Sequence, residues 1–125
     1  MKCKVKAEAC VNPTEDINKV IKALYNVFGG YEEIKVVGDF VVILGKCSIL
    51  NYLKEFMEKK KIRDTAMEIF LKGVENNMIK FKLSKQAAFT GNINLVEKNL
   101  SPLGEIDVEI KTKDPTRLIE WLCMH

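Results

Sequence analysis

The stretch IKFKLSKQAAFTGNINLV, residues 79–96, carries the pattern from which the sheet of this protein is inferred. Its first five residues alternate between apolar side chains and the lysines Lys80 and Lys82. A period of two predicts a β-strand with one buried face and one solvated face. The alternation stops at SKQAAF, residues 84–89, and resumes after Gly91-Asn92 as a second short strand. Such an interruption either bends the strand or makes room for a ligand.

Length and composition favour a single folded domain over residues 1–125, since 47% of the residues are hydrophobic. No apolar run approaches the ~18 residues of a membrane span, and the N-terminus lacks a signal-peptide core. We therefore expect a cytoplasmic protein with no membrane partner. The net charge is only +3, and Arg63 and Arg117 are the only arginines among 20 cations. Because arginine binds phosphate bidentately and lysine acts as a point charge, these two residues stand out.

Catalytic and metal-binding residues are sparse in this sequence. The four cysteines are scattered without a C-x-x-C pair, and the only histidine is the last residue, His125. We therefore predict no metal site, no cofactor and reduced, buried thiols rather than disulfides. No Ser-His-Asp set, Cys-His set or glycine-rich phosphate loop is present, so the sequence argues against an enzyme. The carboxylate pair Glu15-Asp16 fits a helix start better than acid–base chemistry.

The remaining strands are predicted from alternation and from turn signals. Alternation marks strands at residues 2–11, 33–37 and 105–111, and an apolar run at 40–44 predicts a central strand covered on both faces. Gly38-Asp39 is a two-residue hairpin signal between the second and third strands. Another turn is expected at residues 101–104.

Helical spacing of apolar residues predicts four helices. They lie between Asn12 and Gly29, after Ser48 as the cap, from about Ile62 to Gly73, and after the capping pair Asp114-Pro115. The first helix has two candidate caps, Asn12 with Glu15 closing a capping box, or Thr14 with Glu15 and Asp16 in the first turn. The order of elements predicts a two-layer α+β fold with a largely antiparallel sheet of about five strands and helices on one face.

The solvated sheet face is the first candidate site. Lys2, Lys4 and Lys6 of the first strand, together with Lys80 and Lys82, could form a basic platform for a phosphate backbone. Glu105, Asp107 and Glu109 alternate in the complementary phase and would neutralise a lysine ladder on a paired strand. We favour this neutralisation for the lysines of the first strand and keep Lys80 and Lys82 as candidate RNA contacts.

The densest positive cluster is the second candidate. Lys59, Lys60, Lys61 and Arg63 lie between two predicted helices, close to a helix start that offers backbone N–H groups to an anion. A solvated corner in which Arg63 pairs with a carboxylate such as Asp64 explains the same pattern, and both alternatives remain open.

The interruption at residues 84–89 is the third candidate. Lys85 would contact phosphate and Gln86 a base edge or ribose. Phe89 could stack on a base, but a core position where the strand bends is the favoured interpretation.

Four motifs that occur in order resemble a family of small archaeal proteins labelled RNA-binding or predicted to be exosome-associated. The motifs are NPTED with Lys19-Val20, IRDTA at 62–66, LSKQAAF at 83–89 with Gly91, and PLG at 102–104. The resemblance implies a fold similar to the ribosomal protein that binds 5S RNA. It also implies motif residues at Asn12, Thr14, Glu15, Asp16, Arg63, Asp64, Thr65, Lys85, Gln86 and Phe89, without a catalytic role for any of them.

Three functional hypotheses follow. The first is a non-catalytic RNA-binding protein in which Arg63 and Lys85 position the RNA backbone and Gln86 adds local readout. The second is a protein-interaction subunit, as a homodimer or in an RNA-processing complex, whose motif residues are structural. An enzyme acting on a phosphorylated ligand is the least favoured hypothesis.

Overall fold

In the computed structural model, which describes residues 2–98 and 103–124, the chain forms one seven-stranded antiparallel sheet and five helices. The strands are β1 Lys4–Cys10, β2 Glu33–Val37, β3 Phe40–Lys46, β4 Val74–Glu75, β5 Met78–Leu83, β6 Leu95–Val96 and β7 Ile106–Lys111. Their order across the sheet is β2-β3-β1-β7-β5-β4, and β6 also pairs with β5. The α+β class and the antiparallel sheet are confirmed. The expected count of about five strands was too low, since β4 and β6 have only two residues each.

The core lies between one face of the sheet and the helices. The helices are α1 Ile17–Phe28, α2 Asn51–Lys60, α3 Arg63–Lys72, α4 Lys85–Phe89 and α5 Pro115–Cys123. Alternate residues of β1, β5 and β7, such as Val5, Phe81 and Val108, are buried together with Leu24 and Phe70 from the helices. Each such side chain contributes about 1.5–3 kcal/mol through burial. The opposite side of the sheet, which carries Lys4, Lys6, Lys80 and Glu109, is called the open face below.

Strand β3 is interior but not central, which corrects the prediction for residues 40–44. It pairs with β2 on one side and β1 on the other, and is second from the edge. Its helix-side residues Val41 and Ile43 are fully buried, while Phe40 on the open face is 42% exposed. Val42 on the open face is also buried, at 5% exposed, so the apolar run has a buried residue on each side of the sheet.

The start of α1 differs from both predicted caps. Asp16 caps the helix by accepting a hydrogen bond from the Asn18 backbone N–H, and neither Asn12 nor Thr14 does so. Glu15 does reach back to the Asn12 N–H at 3.0 Å, as a capping box would, but this contact closes a turn before the helix begins. Ser48 likewise lies inside a 3-10 turn, Cys47–Leu50, and is not the cap of α2. The caps predicted at Asp114 and Gly73 are confirmed.

The interruption after β5 is a short helix. Ser84 accepts a hydrogen bond from the Ala87 N–H at 3.2 Å and so caps α4, Lys85–Phe89. Gly73, just before β4, is required by close packing, because a Cβ there would lie 1.9 Å from the carbonyl oxygen of Lys80. The predicted Gly38-Asp39 hairpin is present, with Val37 opposite Phe40.

Two cysteines are joined, contrary to the prediction of reduced thiols. Cys3 and Cys47 form a disulfide across 44 positions of sequence, with their Cα atoms 5.2 Å apart. Pairing of β1 with β3 brings them together, and this proximity has no local signature in the sequence. Cys10 and Cys123 are free.

Two sequence-based predictions involve residues beyond the described ranges. Ser101 and Pro102 of the predicted turn lie outside the described residues, as does His125. Within the described part of the chain, no helix combines the length and apolar character needed to cross a bilayer.

Candidate nucleic-acid interface

Lys85 is at the centre of a buried polar network. Its side chain is 0% exposed although it is the first residue of α4. The ammonium group donates to the Glu15 carboxylate at 2.9 Å, the Cys10 carbonyl at 2.8 Å and the Leu103 carbonyl at 2.6 Å. A lysine ammonium has three N–H donors, so all three are used. Lys85 therefore ties the end of β1, the loop before α1 and the segment before β7 together, and is not accessible to RNA in this structure.

Glu15 is the carboxylate of this network. One of its oxygens accepts hydrogen bonds from the Asn12 backbone N–H, the Asn12 side-chain amide at 2.9 Å and Lys85. Burial raises the pKa of Glu15, but the hydrogen bonds from Lys85 and Asn12 and the charge of Lys85 outweigh burial. The net pKa therefore lies below its usual value of 4.5. The Asn12 amide also donates to the Leu103 carbonyl at 2.8 Å, which closes the network.

The other motif residues near α4 divide between surface and core. Gln86 is exposed, so its predicted role in RNA contact stays a prediction. Phe89 is half-buried and packs against the core. The Asn26 amide donates to the carbonyls of Ala88 and Phe89 at 2.9 and 3.3 Å, which attaches the end of α4 to α1.

The corner between α2 and α3 is a solvated basic surface. Lys59, Lys60 and Lys61 are exposed, and Lys61 ends α2 in a left-handed conformation with φ of 57°. Lysines in the last turn of a helix interact favourably with its dipole, which gives Lys59 and Lys60 a structural role. Arg63, half-buried at the start of α3, forms no ion pair within residues 2–98 and 103–124, although the exposed Asp64 and Thr65 follow it.

A buried thiol lies near this arginine. Burial raises the pKa of Cys123 in α5 to about 11, and the positive charges of Lys54 and Arg63 oppose that rise.

The middle of the open face is electrically balanced, which agrees with the neutralisation predicted for Lys6. β7 lies between β1 and β5, so Glu109 is opposite both Lys6 and Lys80. Asp107 is opposite Lys82 and forms an ion pair with it, and Lys80 also pairs with Glu75 at 3.6 Å. Lys80 and Lys82, predicted as RNA contacts, thus have carboxylate partners within the fold.

One end of the open face has the opposite character. Lys4 is opposite Lys46 on β3 and opposite Lys111 on β7, so three lysines form one row across three strands. Lys2 and Lys113 flank this row, and the exposed Arg117 follows at the start of α5. We call these residues, Lys2, Lys4, Lys46, Lys111, Lys113 and Arg117, the basic end.

The basic end lines two adjacent depressions. The first, of about 650 Å³, is bordered by its five lysines and by the Cys3–Cys47 disulfide and Asn77. The second, of about 590 Å³, is bordered by Lys2, Lys113, Arg117, Asp114 and Trp121. Asp114 is the single carboxylate among the described residues that line either depression. Lys46 also pairs with Glu32 at 3.7 Å, through exposed side chains.

Two hydrogen bonds from Thr112 hold these strand ends in place. The Thr112 N–H donates to the Asn77 carbonyl at 2.9 Å, and the Thr112 hydroxyl donates to the Lys2 carbonyl at 3.3 Å. Of these residues, Arg117 stood out in the sequence. For Lys2 and Lys4 we predicted neutralisation by the acidic strand, which is wrong for Lys4 because its partners across the sheet are Lys46 and Lys111. Lys46, Lys111 and Lys113 were not predicted. The phase of β7 contained a signal for one of them, because a register that places Glu109 opposite Lys6 also places Lys111 opposite Lys4.

Comparisons with known proteins match nearly the whole chain. A family model described as RNA binding matches residues 4–112. A UPF0201 protein of Methanothermobacter thermautotrophicus is 44% identical over 119 residues, which is 95% of this chain and 89% of the relative. The chain belongs to the UPF0201 family. Another relative, from Pyrococcus abyssi, is 39% identical over 94% of this chain and 87% of its own length.

Solved structures of the family have the same fold. The UPF0201 protein from Methanococcus jannaschii superimposes with a TM-score of 0.79 at 30% identity, covering 100% of this chain and 94% of that protein. A second uncharacterized UPF0201 protein gives a TM-score of 0.84 at 25% identity, covering 98% of this chain and 94% of its own. The resemblance inferred from the sequence motifs is thereby confirmed as membership of an archaeal family with an RNA-binding family model.

Proposed function

We propose that this UPF0201 protein binds RNA, without catalysis, by holding the phosphate backbone at the basic end. The observation that carries the proposal is the row Lys46-Lys4-Lys111, in which like charges lie directly opposite one another on paired strands. Such pairs destabilise a sheet by about 0.2–1 kcal/mol each. A bound phosphate offsets this repulsion and releases counterions from the nucleic acid. The RNA-binding description of the family model supports the same function.

The chemistry of the basic end favours contacts that do not depend on base sequence. Five of its six cations are lysines, which contact phosphate as point charges, while Arg117 can bind a phosphate bidentately. The aromatic side chain among its lining residues is Trp121, which is half-buried and has the Lys54 ammonium 5.5 Å from its ring centroid. A base-stacking platform of the kind used for single strands is therefore not available on these residues. We infer binding to the backbone of a structured RNA.

The corner of Lys59, Lys60, Lys61 and Arg63 is proposed as a secondary contact, since these cations are exposed or half-buried next to the start of α3. Gln86 is retained as a local contact because it is exposed.

Two groups of predicted contacts are not part of this proposal. Lys85 is excluded because its three N–H donors already bond to acceptors within the fold. Lys80 and Lys82 are excluded because carboxylates neutralise both. Association with an exosome-type complex and likeness to the 5S-RNA-binding ribosomal protein remain hypotheses on which this proposal does not depend.

Fluorescence anisotropy with a labelled RNA hairpin, measured over a KCl series, tests the proposal. The wild-type affinity should fall as salt rises, with a slope of about −0.7 to −0.9 per neutralised phosphate in a log–log plot. The double variant Lys4→Gln/Lys111→Gln should weaken binding roughly tenfold at low salt and flatten the slope by about one to two units.

The matched control is Lys6→Gln/Lys80→Gln, which removes the same charge from the balanced middle of the same face. It should retain most of the wild-type affinity. Equal losses in the two double variants, a flat salt response, or no binding at low salt would each contradict the proposal.

A second candidate function, a protein-interaction subunit, is supported by one specific feature, the apolar surface of the edge strand β2.

A further inference from the structure

Strand β2, Glu33–Val37, is a free edge of the sheet with apolar residues on both of its faces. Among the residues that the structure describes it pairs only with β3, and all five of its residues are exposed. Ile34 and Val36 face the helix side and are 37% and 56% exposed. Val37, on the open face beside Phe40, is 55% exposed. Natural edge strands usually carry charges, prolines or bulges that prevent further pairing, whereas an apolar edge is a template for another strand.

The hairpin determines which backbone groups point outward. Val37 and Phe40 flank a two-residue turn and form its hydrogen-bonded closing pair. In an antiparallel ladder hydrogen-bonded residues alternate, so Lys35 and Glu33 bond to β3 while Ile34 and Val36 direct their N–H and C=O groups away from it. These outward groups are the ones that an added strand would meet.

We propose that a second copy of this chain adds its own β2 to this edge, antiparallel, about a two-fold axis at Ile34. In this register Ile34 of the two copies forms the central hydrogen-bonded pair. Glu33 of each copy lies opposite Lys35 of the other, on the open face, so two opposite-charge pairs form across the axis. Shifting the centre to Lys35 would instead place two lysines opposite each other. The charge pattern of the strand is therefore self-complementary in one register.

The surface beside the strand extends the same interface. Tyr31, just before β2, contacts the exposed Tyr25 of α1 in an edge-to-face arrangement, with ring centroids 6.3 Å apart. The two rings add aromatic surface next to the start of β2, and a second copy would shield it together with Ile34 and Val36. On β3, the residues opposite Glu33 and Lys35 are Leu44 and Val42, so the two charged side chains have no charged partner across that pairing.

Sedimentation equilibrium over a dilution series, with charge-exchange variants, tests the dimer and its register together. The wild type should sediment at twice the 14.3 kDa mass of the chain. Glu33→Lys and Lys35→Glu each replace two attractive pairs by two repulsive ones, and each should raise the dimer dissociation constant by about tenfold or more. The double variant Glu33→Lys/Lys35→Glu restores the opposite-charge pairs and should return the dissociation constant to near the wild-type value.

A wild type that remains monomeric at every concentration would overturn the proposal. So would single variants that dimerise as tightly as the wild type, since the contact would then lie elsewhere, or a double variant that fails to recover. Hydrogen exchange of the wild type provides a measurement without mutation. The amides of Ile34 and Val36 should exchange slowly in the dimer and rapidly after dilution, and fast exchange at both concentrations would also contradict the model of pairing. None of these changes alters the basic end, so dimerisation and RNA binding can fail independently.

Discussion

Lys85 and Lys4 carry the same charge, but the fold surrounds them differently. Lys85 is fully buried, and its ammonium donates to one carboxylate and two carbonyls. Lys4 is exposed and lies between two other lysines, Lys46 and Lys111. The first cation is used to join three segments of the chain, while the second leaves positive potential for an external anion. A lysine is a candidate for binding RNA only where the fold has not already supplied its acceptors.

The balanced middle of the open face lies between these extremes. Lys6, Lys80 and Lys82 are partly exposed, yet each lies opposite a carboxylate of β7. One step along the strands, the same pairing brings lysines together instead. The contrast locates the proposed RNA contact at one end of the sheet rather than over its whole face.

The largest expected effect comes from removing the buried cation. Lys85→Met would leave Glu15 buried without its positive partner and two carbonyls without their donor, and should lower the free energy of unfolding by about 3–5 kcal/mol. The neighbouring change Gln86→Ala, at an exposed position, should cost less than about 0.5 kcal/mol. Urea unfolding followed by circular dichroism measures both. Similar values for the two variants would show that the Lys85 network is not a structural centre.

The acid side of the same network predicts a pH dependence of intermediate size. The pKa of Glu15 is lower in the folded protein than its usual value of 4.5, so its ionised form stabilises the fold above that pH. This contribution is lost as the pH falls below 4.5 through the folded-state pKa. Wild-type stability should therefore decline more steeply on acidification than that of Glu15→Gln, in urea titrations from neutral pH to about pH 3. Parallel declines in the two proteins would argue against a lowered pKa.

The smallest expected change in stability comes from charge reversals that compare the basic end with the middle of the sheet. Lys4→Glu turns the row Lys46-Lys4-Lys111 into an alternating one, which should stabilise the protein by about 0.5–2 kcal/mol while reducing RNA affinity. Glu109→Lys places a lysine between Lys6 and Lys80 in the middle row. It should lower stability and make the salt dependence of RNA binding steeper. Thermal unfolding and RNA anisotropy on both variants check the paired signs. Changes of the same sign in the two variants would remove the distinction between the regions.

Local patterns predicted much of the fold. Alternation identified the strands around β1, β5 and β7, and turn residues identified the β2–β3 hairpin and the cap at Asp114. The alternation of acidic residues on β7 correctly predicted a carboxylate opposite Lys6. The same prediction was wrong for Lys4, which lies opposite lysines, and Lys80 and Lys82 were predicted to contact RNA although carboxylates lie opposite them. Strand β4 was not predicted, and strand β6 is shorter than the alternation after Gly91-Asn92 indicated. Each has only two residues, and so short a strand shows no detectable period.

The candidate site was less predictable, and Lys85 shows why. Its position in the interruption at residues 84–89 suggested a phosphate contact, but two of its three acceptors are backbone carbonyls that any residue carries. The third, Glu15, lies 70 positions away in the chain. Whether a lysine side chain points inward depends on acceptors that tertiary folding brings together. The residue types near Lys85 in the sequence do not indicate these acceptors.

By itself, the sequence determined which residues share a face of the sheet, because the two-residue period of a strand is a local property of the backbone. Only the tertiary structure decided which charges meet on that face, because the register between β3, β1 and β7 depends on pairing between distant segments. That register places carboxylates beside Lys6 and Lys82 but lysines beside Lys4. The strand pattern is thus a property of the local sequence, whereas the proposed RNA surface exists only after the strands have paired.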